Sequence, residues 1–442
     1  MADATAGNLL ERLFALRERG TTVRREALAG AVTFLTMAYI VAVNPGILKA
    51  AGLPVEATVA ATCLAAAIPC LLMGLWANWP LALAPGMGLN AFLTFSVVVG
   101  MGAPWQTAMG IVFVEGALIA LLVAFGVREA VLRAIPGPLK VAIGVGIGLF
   151  IAFIGLQHAG WVVKDPATLV GAGSFRAAPT IVASLGLLVT AALMARRVPG
   201  ALLLGVVATA LLAAIASVPP FSAGLMRAPD RLVALPDLST FGRLDIPGAL
   251  RLKFAATIFA FLMTDFFDTM GTVVAVGRQA GLLGRDGSLS RLNRVLLVDS
   301  LAACWGGLCS ASSVTCYVES AAGVGEGGRT GLSTVVTGLL FLAAMFFAPV
   351  IGVLPEVATA PALIVVGFLM LSQVAELSFD RFEEAFPAFV TLLAIPLTFS
   401  IARGVALGFL SYVLLAVLRG RAREVPPLLW PIAALFALSL AL

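Results

Sequence analysis

Residues Ser310 to Gly327 read SASSVTCYVESAAGVGEG, and they set a carboxylate, Glu319, inside a stretch otherwise suited to a membrane interior. An ionised acid at the bilayer centre costs roughly 2.5–3.5 kcal/mol on insertion scales, so such residues usually face a cavity on a substrate or ion path. The neighbours argue against a continuous apolar helix. Ser310, Ser312, Ser313 and Thr315 are polar, Val314 and Thr315 are β-branched, and Gly306 and Gly307 lie just upstream. The pattern predicts a short extended piece that turns into a half-helix near Cys316, with Glu319 in its first turn. Irregular backbone at membrane depth is tolerated only where it is buried in protein or lines a cavity. A glutamate there can stabilise the helix dipole or bind a ligand; within a membrane the ligand carries the stronger case.

Composition sets the class around this stretch. Apolar residues make up 61% of the 442, charged residues only 12%, and mean hydropathy is +1.06. That is a polytopic membrane protein. The net charge of +5 sits in short loops between apolar runs, without interleaved aromatics, which excludes nucleic acid and fits positive-inside topology. Cys63, Cys70, Cys304, Cys309 and Cys316 fall in apolar segments without metal-ligand spacing to the single histidine, His158, so no metal site is expected. They read as reduced packing residues. Asn8 to Arg19 is amphipathic and charged, unlike a secretory signal, and is expected along the cytoplasmic interface.

With about 20 apolar residues per span, segments fall near 29–47, 56–77, 80–100, 104–126, 138–157, 179–195, 199–217, 252–274, 294–309, 311–327, 330–352, 357–374, 385–400 and 403–418. These are fourteen, with both termini cytoplasmic by the distribution of Lys and Arg. The run 427–442 is marginal for a span and stays unassigned. A second irregular segment, PLALAPGMGLNAF (Pro80 to Phe92), carries Pro85, Gly86 and Gly88 ahead of Asn90. It stands third in the first set of seven, as Ser310 to Gly327 does in the second. Paired interruptions at matching places point to an inverted-repeat transporter with its site at the midplane.

Asp265 and Asp268 lie in FAATIFAFLMTDFFDTMGTVVAVG (254–277) and share a helix face at that spacing. Two acids so close in low dielectric cannot both ionise cheaply, which makes a proton-coupling site; the alternative is that one caps a neighbouring segment. Asn90 offers a donor and an acceptor suited to a planar heterocycle, or serves its own broken backbone equally well. Glu115 and Asp299 read as structurally paired, Asp299 with nearby Arg291 and Arg294, and His158 reads as interfacial. Phe92 and Phe267 offer ring faces for stacking. An enzyme would need a nucleophile with a base, or a metal cluster, and the acids here have neither.

Four blocks carry a family resemblance: EALAGAVTFLTMAYIVAVNPGIL (26–48), LAPGMGLNAF (83–92), DFFDTMG (265–271) and TCYVESAAGVGEGGRTGLS (315–333). In this order the chain resembles, over essentially its whole length, an AzgA-like purine permease of the nucleobase-cation/ascorbate transporter superfamily. The resemblance implies an all-α fold of fourteen transmembrane segments in two inverted seven-span repeats, with short strands in the broken third and tenth segments. A cytoplasmic N-terminus (1–28) would precede core parts at 29–126 and 252–352, gate parts at 138–217 and 357–418, and a tail at 419–442. It implies proton-coupled uptake of hypoxanthine, guanine or adenine in the plasma (inner) membrane, with the proton as coupling ion, no cofactor, and room for a homodimer. Asn90, Asp268, Val318 and Glu319 would bind the base, and Asp265 and Asp268 would carry the proton. Aligned on Gly271, the eighth-span acid of more distant relatives falls on Asp268. Sodium coupling, or anion transport on the same fold, are the alternatives.

Overall fold

The structure, a computed structural model, describes residues 9–126, 136–218, 223–282 and 289–441. Among these, ten helices are long and apolar enough to cross a membrane, and Met87–Gly100, Ala201–Ser217 and Leu429–Leu440 are shorter apolar helices. The chain is a mostly helical polytopic membrane protein.

In chain order, α1 (Val23–Met37) and α2 (Ile40–Lys49) are halves of one span, separated at Ala38 and Tyr39. Then come α3 (Val55–Leu72), strand β1 (Leu83–Pro85), and α4 (Met87–Ala91), which continues as π-helical turns to Gly100. Next are α5 (Trp105–Ala124), α6 (Gly137–His158), a surface hairpin of β2 (Val162–Asp165) and β3 (Leu169–Ala172), α7 (Ala178–Ala195) and α8 (Ala201–Ser217). The second half holds α9 (Ala255–Gln279), α10 (Leu292–Cys309), β4 (Val314–Cys316), α11 (Ser320–Gly325), α12 (Gly331–Ala344), α13 (Glu356–Leu371), α14 (Phe382–Leu397), α15 (Ile401–Leu418) and α16 (Leu429–Ala441).

Two features bring distant parts of the chain together. The first is the antiparallel pairing of β1 with β4, in the register Leu83↔Cys316, Ala84↔Thr315 and Pro85↔Val314. Pro85 has no N–H to donate and closes the short ladder, after which Gly86 N donates to Ser313 O at 2.9 Å. Upstream of β4, α10 stops because Ser310 and Ser312 take left-handed backbone, with φ of 63° and 75°. Such non-glycine residues cost energy and persist only where the surroundings hold them.

The second feature is close helix packing. α6 lies along α13, where a Cβ on Gly367 would meet the carbonyl of Gly148 at 2.5 Å; only glycine lets these backbones approach so closely. α5 packs on α10, and α12 on α1 and α3. The start of α12 is capped by Glu26 of α1, fully buried, which accepts from the backbone N–H groups of Arg329 (2.8 Å), Thr330 (3.4 Å) and Ser333 (3.2 Å). Asn78 Oδ1 accepts from Gly331 N at 2.7 Å beside it.

Several expectations change. The helix after β4 begins at Ser320, so Glu319 occupies the cap position rather than the first turn. The unassigned run forms α16 and packs on the bundle, with Phe436 buried against Phe259 and Phe409. Of the amphipathic N-terminal stretch, Asn8 lies outside the described residues; Phe14 and Leu16 are buried against Leu332, and Leu9 and Leu13 are exposed.

Candidate functional site

The β1–β4 pairing places the ends of α4 and α11 beside α9 in the middle of the bundle. Glu319 is held there by a residue from the far end of the sequence: Tyr39, fully buried at the break between α1 and α2, donates its hydroxyl to Glu319 Oε1 at 2.7 Å. Thr36 Oγ1 donates to Glu319 O at 3.4 Å. Tyr317 folds back over β1 and donates to Pro85 O at 2.6 Å, and Ser320 Oγ accepts from Ala82 N at 2.9 Å. The segment around Glu319 is thus fixed on both sides, while the carboxylate itself stays partly accessible.

Asp268 and Val318 are exposed at this point, and Asp268 is within electrostatic range of Glu319, Tyr39 and Tyr317. An exposed carboxylate on a helix that is otherwise mostly buried marks an opening in the packing. Phe267 is half-buried beside it, with Lys140 Nζ of α6 5.3 Å from its ring centroid. Phe92 does not reach the opening: it is fully buried and stacks on Phe261 with centroids 4.2 Å apart. Its ring face is already occupied.

The expected pair of aspartates divides. Asp268 is accessible, whereas Asp265 is fully buried, with Glu115 of α5 the strongest of its charged neighbours. Three residues put them about 60° apart around the helix, enough at this boundary to give one to the cavity and the other to the protein interior. Asn90 is also fully buried, and its amide nitrogen and oxygen make no hydrogen bond among the described residues. Of the residues expected to bind a base, Asp268, Val318 and Glu319 are therefore brought together, and Asn90 stands apart from the open space.

Asp299 does not pair with Arg291 or Arg294. It lies two turns into α10 and accepts from Thr269 Oγ1 (2.7 Å), Cys316 N (3.1 Å) and Cys316 Sγ (3.1 Å). Thr269 also bonds Thr315 Oγ1 at 2.9 Å. Asp299 thereby ties β4 to α9 and α10, and Arg294 turns away to Trp76 O at 3.3 Å. Glu115 has acidic and hydroxyl neighbours, Asp265 and Ser313, in place of a cation. His158 ends α6, with Glu356 at 4.0 Å. Tyr39, Tyr317 and Thr269 escaped the sequence reading, and Asp299 was given the wrong partners. The only signal was their being polar in apolar segments, which many structural residues share.

A model described as the Permease family matches residues 24–407. The adenine permease AdeP of Escherichia coli is 43% identical over 432 residues, covering 98% of this chain and 96% of that one. The guanine/hypoxanthine permease PbuG of Bacillus subtilis is 42% identical over 442 residues, covering 97% and 99%. Among solved structures, the transmembrane domain of the cyanobacterial bicarbonate transporter BicA superposes with a TM-score of 0.62 at 15% identity, covering 86% of this chain and 96% of that one. The murine anion transporter Slc26a9 gives 0.61 at 14%, covering 89% and 68%. At such identities the structural likeness speaks for the fold alone. The family match and the full-length relatives give the identity: this chain belongs to the Permease family, and is a membrane transport protein, not an enzyme.

Proposed function

We propose that the chain imports purine nucleobases, coupled to protons, by alternating access across the plasma (inner) membrane with both termini cytoplasmic. The observation that carries this reading is the closeness of a partly accessible Glu319, fixed by Tyr39, to an exposed Asp268 beside the β1–β4 crossing. Purine bases present N–H donors and ring-nitrogen or carbonyl acceptors on one planar edge. Glu319 accepts from the N–H groups, backbone N–H groups near Val318 donate to the acceptors, and Phe267 covers the ring face. Two acids at the opening favour a neutral, N–H-rich ligand over an anion. The adenine and guanine/hypoxanthine permeases among the relatives support the same substrate class.

In this mechanism Asp268 takes a proton on the outer side as the base is held, and its release inside resets the site. Asp265 and Asn90 act from behind the cavity wall. No cofactor takes part. The two strand–helix segments are the interrupted third and tenth of fourteen spans in two inverted repeats. The part built from α1–α5 and α9–α12 moves as a body against the part built from α6–α8 and α13–α15.

The test is uptake of radiolabelled hypoxanthine, guanine, adenine and uracil by cells lacking their own nucleobase carriers, with and without a protonophore. Saturable purine uptake that collapses with the proton gradient is expected, and is lost or retuned in Glu319→Gln with insertion intact. Uptake that instead requires sodium would overturn the proton role. No uptake by protein present in the membrane would favour anion transport on this fold.

A further inference from the structure

Behind the strand pair, two carboxyl groups face each other, and three of their four oxygens have no donor among the described residues. Glu115 of α5 and Asp265 of α9 are both fully buried and interact directly. Both oxygens of Asp265 and Oε1 of Glu115 receive no hydrogen bond among the described residues; Glu115 Oε2 accepts from Ser313 Oγ at 3.4 Å. The other titratable groups facing the pair are Asp299 and Cys304 of α10, Cys316 of β4 and Asp268 of α9, all acidic or neutral. Among the described residues no ion pair reaches either acid. Two carboxylates in this setting cannot both stay ionised without a cation or a proton between them.

Asn90 is a second, independent sign of a missing ligand. It is fully buried with both ends of its amide unpartnered, and Thr94 Oγ1, one turn on, is equally bare. The helix that carries them runs antiparallel to α9: Thr257 Oγ1 lies 3.7 Å from Met101 Sδ, and Phe92 stacks on Phe261. Asp265, one turn beyond Phe261, therefore comes level with the first turn of α4, where Asn90 sits. A metal ion is the poorer occupant, because among the described residues no three His, Cys, Asp or Glu side chains are grouped to hold one.

We propose that Glu115 and Asp265 form a proton-holding site distinct from the purine cavity. One carboxyl keeps its O–H and donates to the other, so the pair carries a single negative charge. It gains one proton from water on the side open to it and returns one proton to water on the other side. Ser313 joins this site to β4, and so to the segment bearing Glu319. The proposal rests on the transport reading and adds Glu115 to its coupling machinery.

Infrared spectroscopy of the purified full chain tests the shared proton without any substrate. A carbonyl stretch of a protonated carboxylic acid is expected at pH 7.5, changed in both Glu115→Gln and Asp265→Asn and kept in Asp268→Asn. Its absence from the unmodified protein, or its indifference to both variants, would overturn the site. In proteoliposomes with an inward proton gradient, Glu115→Gln is expected to accumulate at least ten-fold less purine while still exchanging purine for purine. Accumulation equal to that of the unmodified protein would overturn the coupling role. If the unmodified protein neither binds nor moves purine, the transport reading fails, while the infrared result still decides the shared proton. Should Glu115→Gln not insert, the spectrum of the unmodified protein and of Asp265→Asn decides it.

Discussion

In the proposed site Tyr39 is the residue that fixes Glu319, since its hydroxyl donates to Oε1 at 2.7 Å and so sets the direction of the carboxylate. Removing that hydroxyl in Tyr39→Phe leaves packing intact and deletes a hydrogen bond to a charged group, worth about 1.5–3 kcal/mol. We expect purine affinity of the purified protein to fall roughly ten-fold or more by that measure, while the variant still folds and inserts. Equal affinity would remove Tyr39 from the site. Glu319 stood out in the sequence because a lone carboxylate among apolar residues is conspicuous. Tyr39 did not, because a tyrosine in a first span usually anchors to the interface, and partners 280 positions apart have no periodicity linking them. Phe92 and Phe267 looked alike for the same reason: a sequence gives ring chemistry, and only packing tells which face is already taken.

At the scale of elements, Asp299 is the joint between α10, α9 and β4. Asp299→Ala strips the acceptor from Cys316 N–H and from the Thr269 hydroxyl, and each buried group left unpaired costs about 1–3 kcal/mol. A clear drop in the detergent unfolding midpoint is expected, together with loss of purine binding; a midpoint equal to that of the parent would make the joint dispensable. The sequence put Asp299 beside Arg291 and Arg294 because they are neighbours along the chain. Two turns of helix, about 10 Å, carry it inward from them. Membrane class and permease family were legible from apolar runs and four motif blocks in a characteristic order. The caps were less so: Glu26 lies in one of those blocks, yet its role in closing the start of α12 depends on a residue some 300 positions away.

For the whole molecule, the boundary between its two proposed bodies passes close to the site. A Cβ on Gly88 of α4 would meet Ile147 Cγ2 of α6 at 2.6 Å. Gly88→Ala therefore overpacks this boundary, at a cost of about 1–3 kcal/mol, and is expected to slow uptake several-fold without removing Glu319 or Asp268. Adding Ile147→Ala, which deletes the opposing methyl, should restore part of the rate. If the double variant is as slow as the single one, the contact is not what limits movement.

The strand pair also imposes an order on synthesis. Leu83–Pro85 leaves the ribosome some 230 residues before its partner Val314–Cys316 exists. At about 5–20 residues per second that gap is roughly 10–50 s. Unpaired backbone groups cost several kcal/mol each in lipid. The first half of a nascent chain must therefore keep this segment out of the hydrocarbon, in water, at the insertion machinery or on a temporary neighbour, until the second half arrives to claim it.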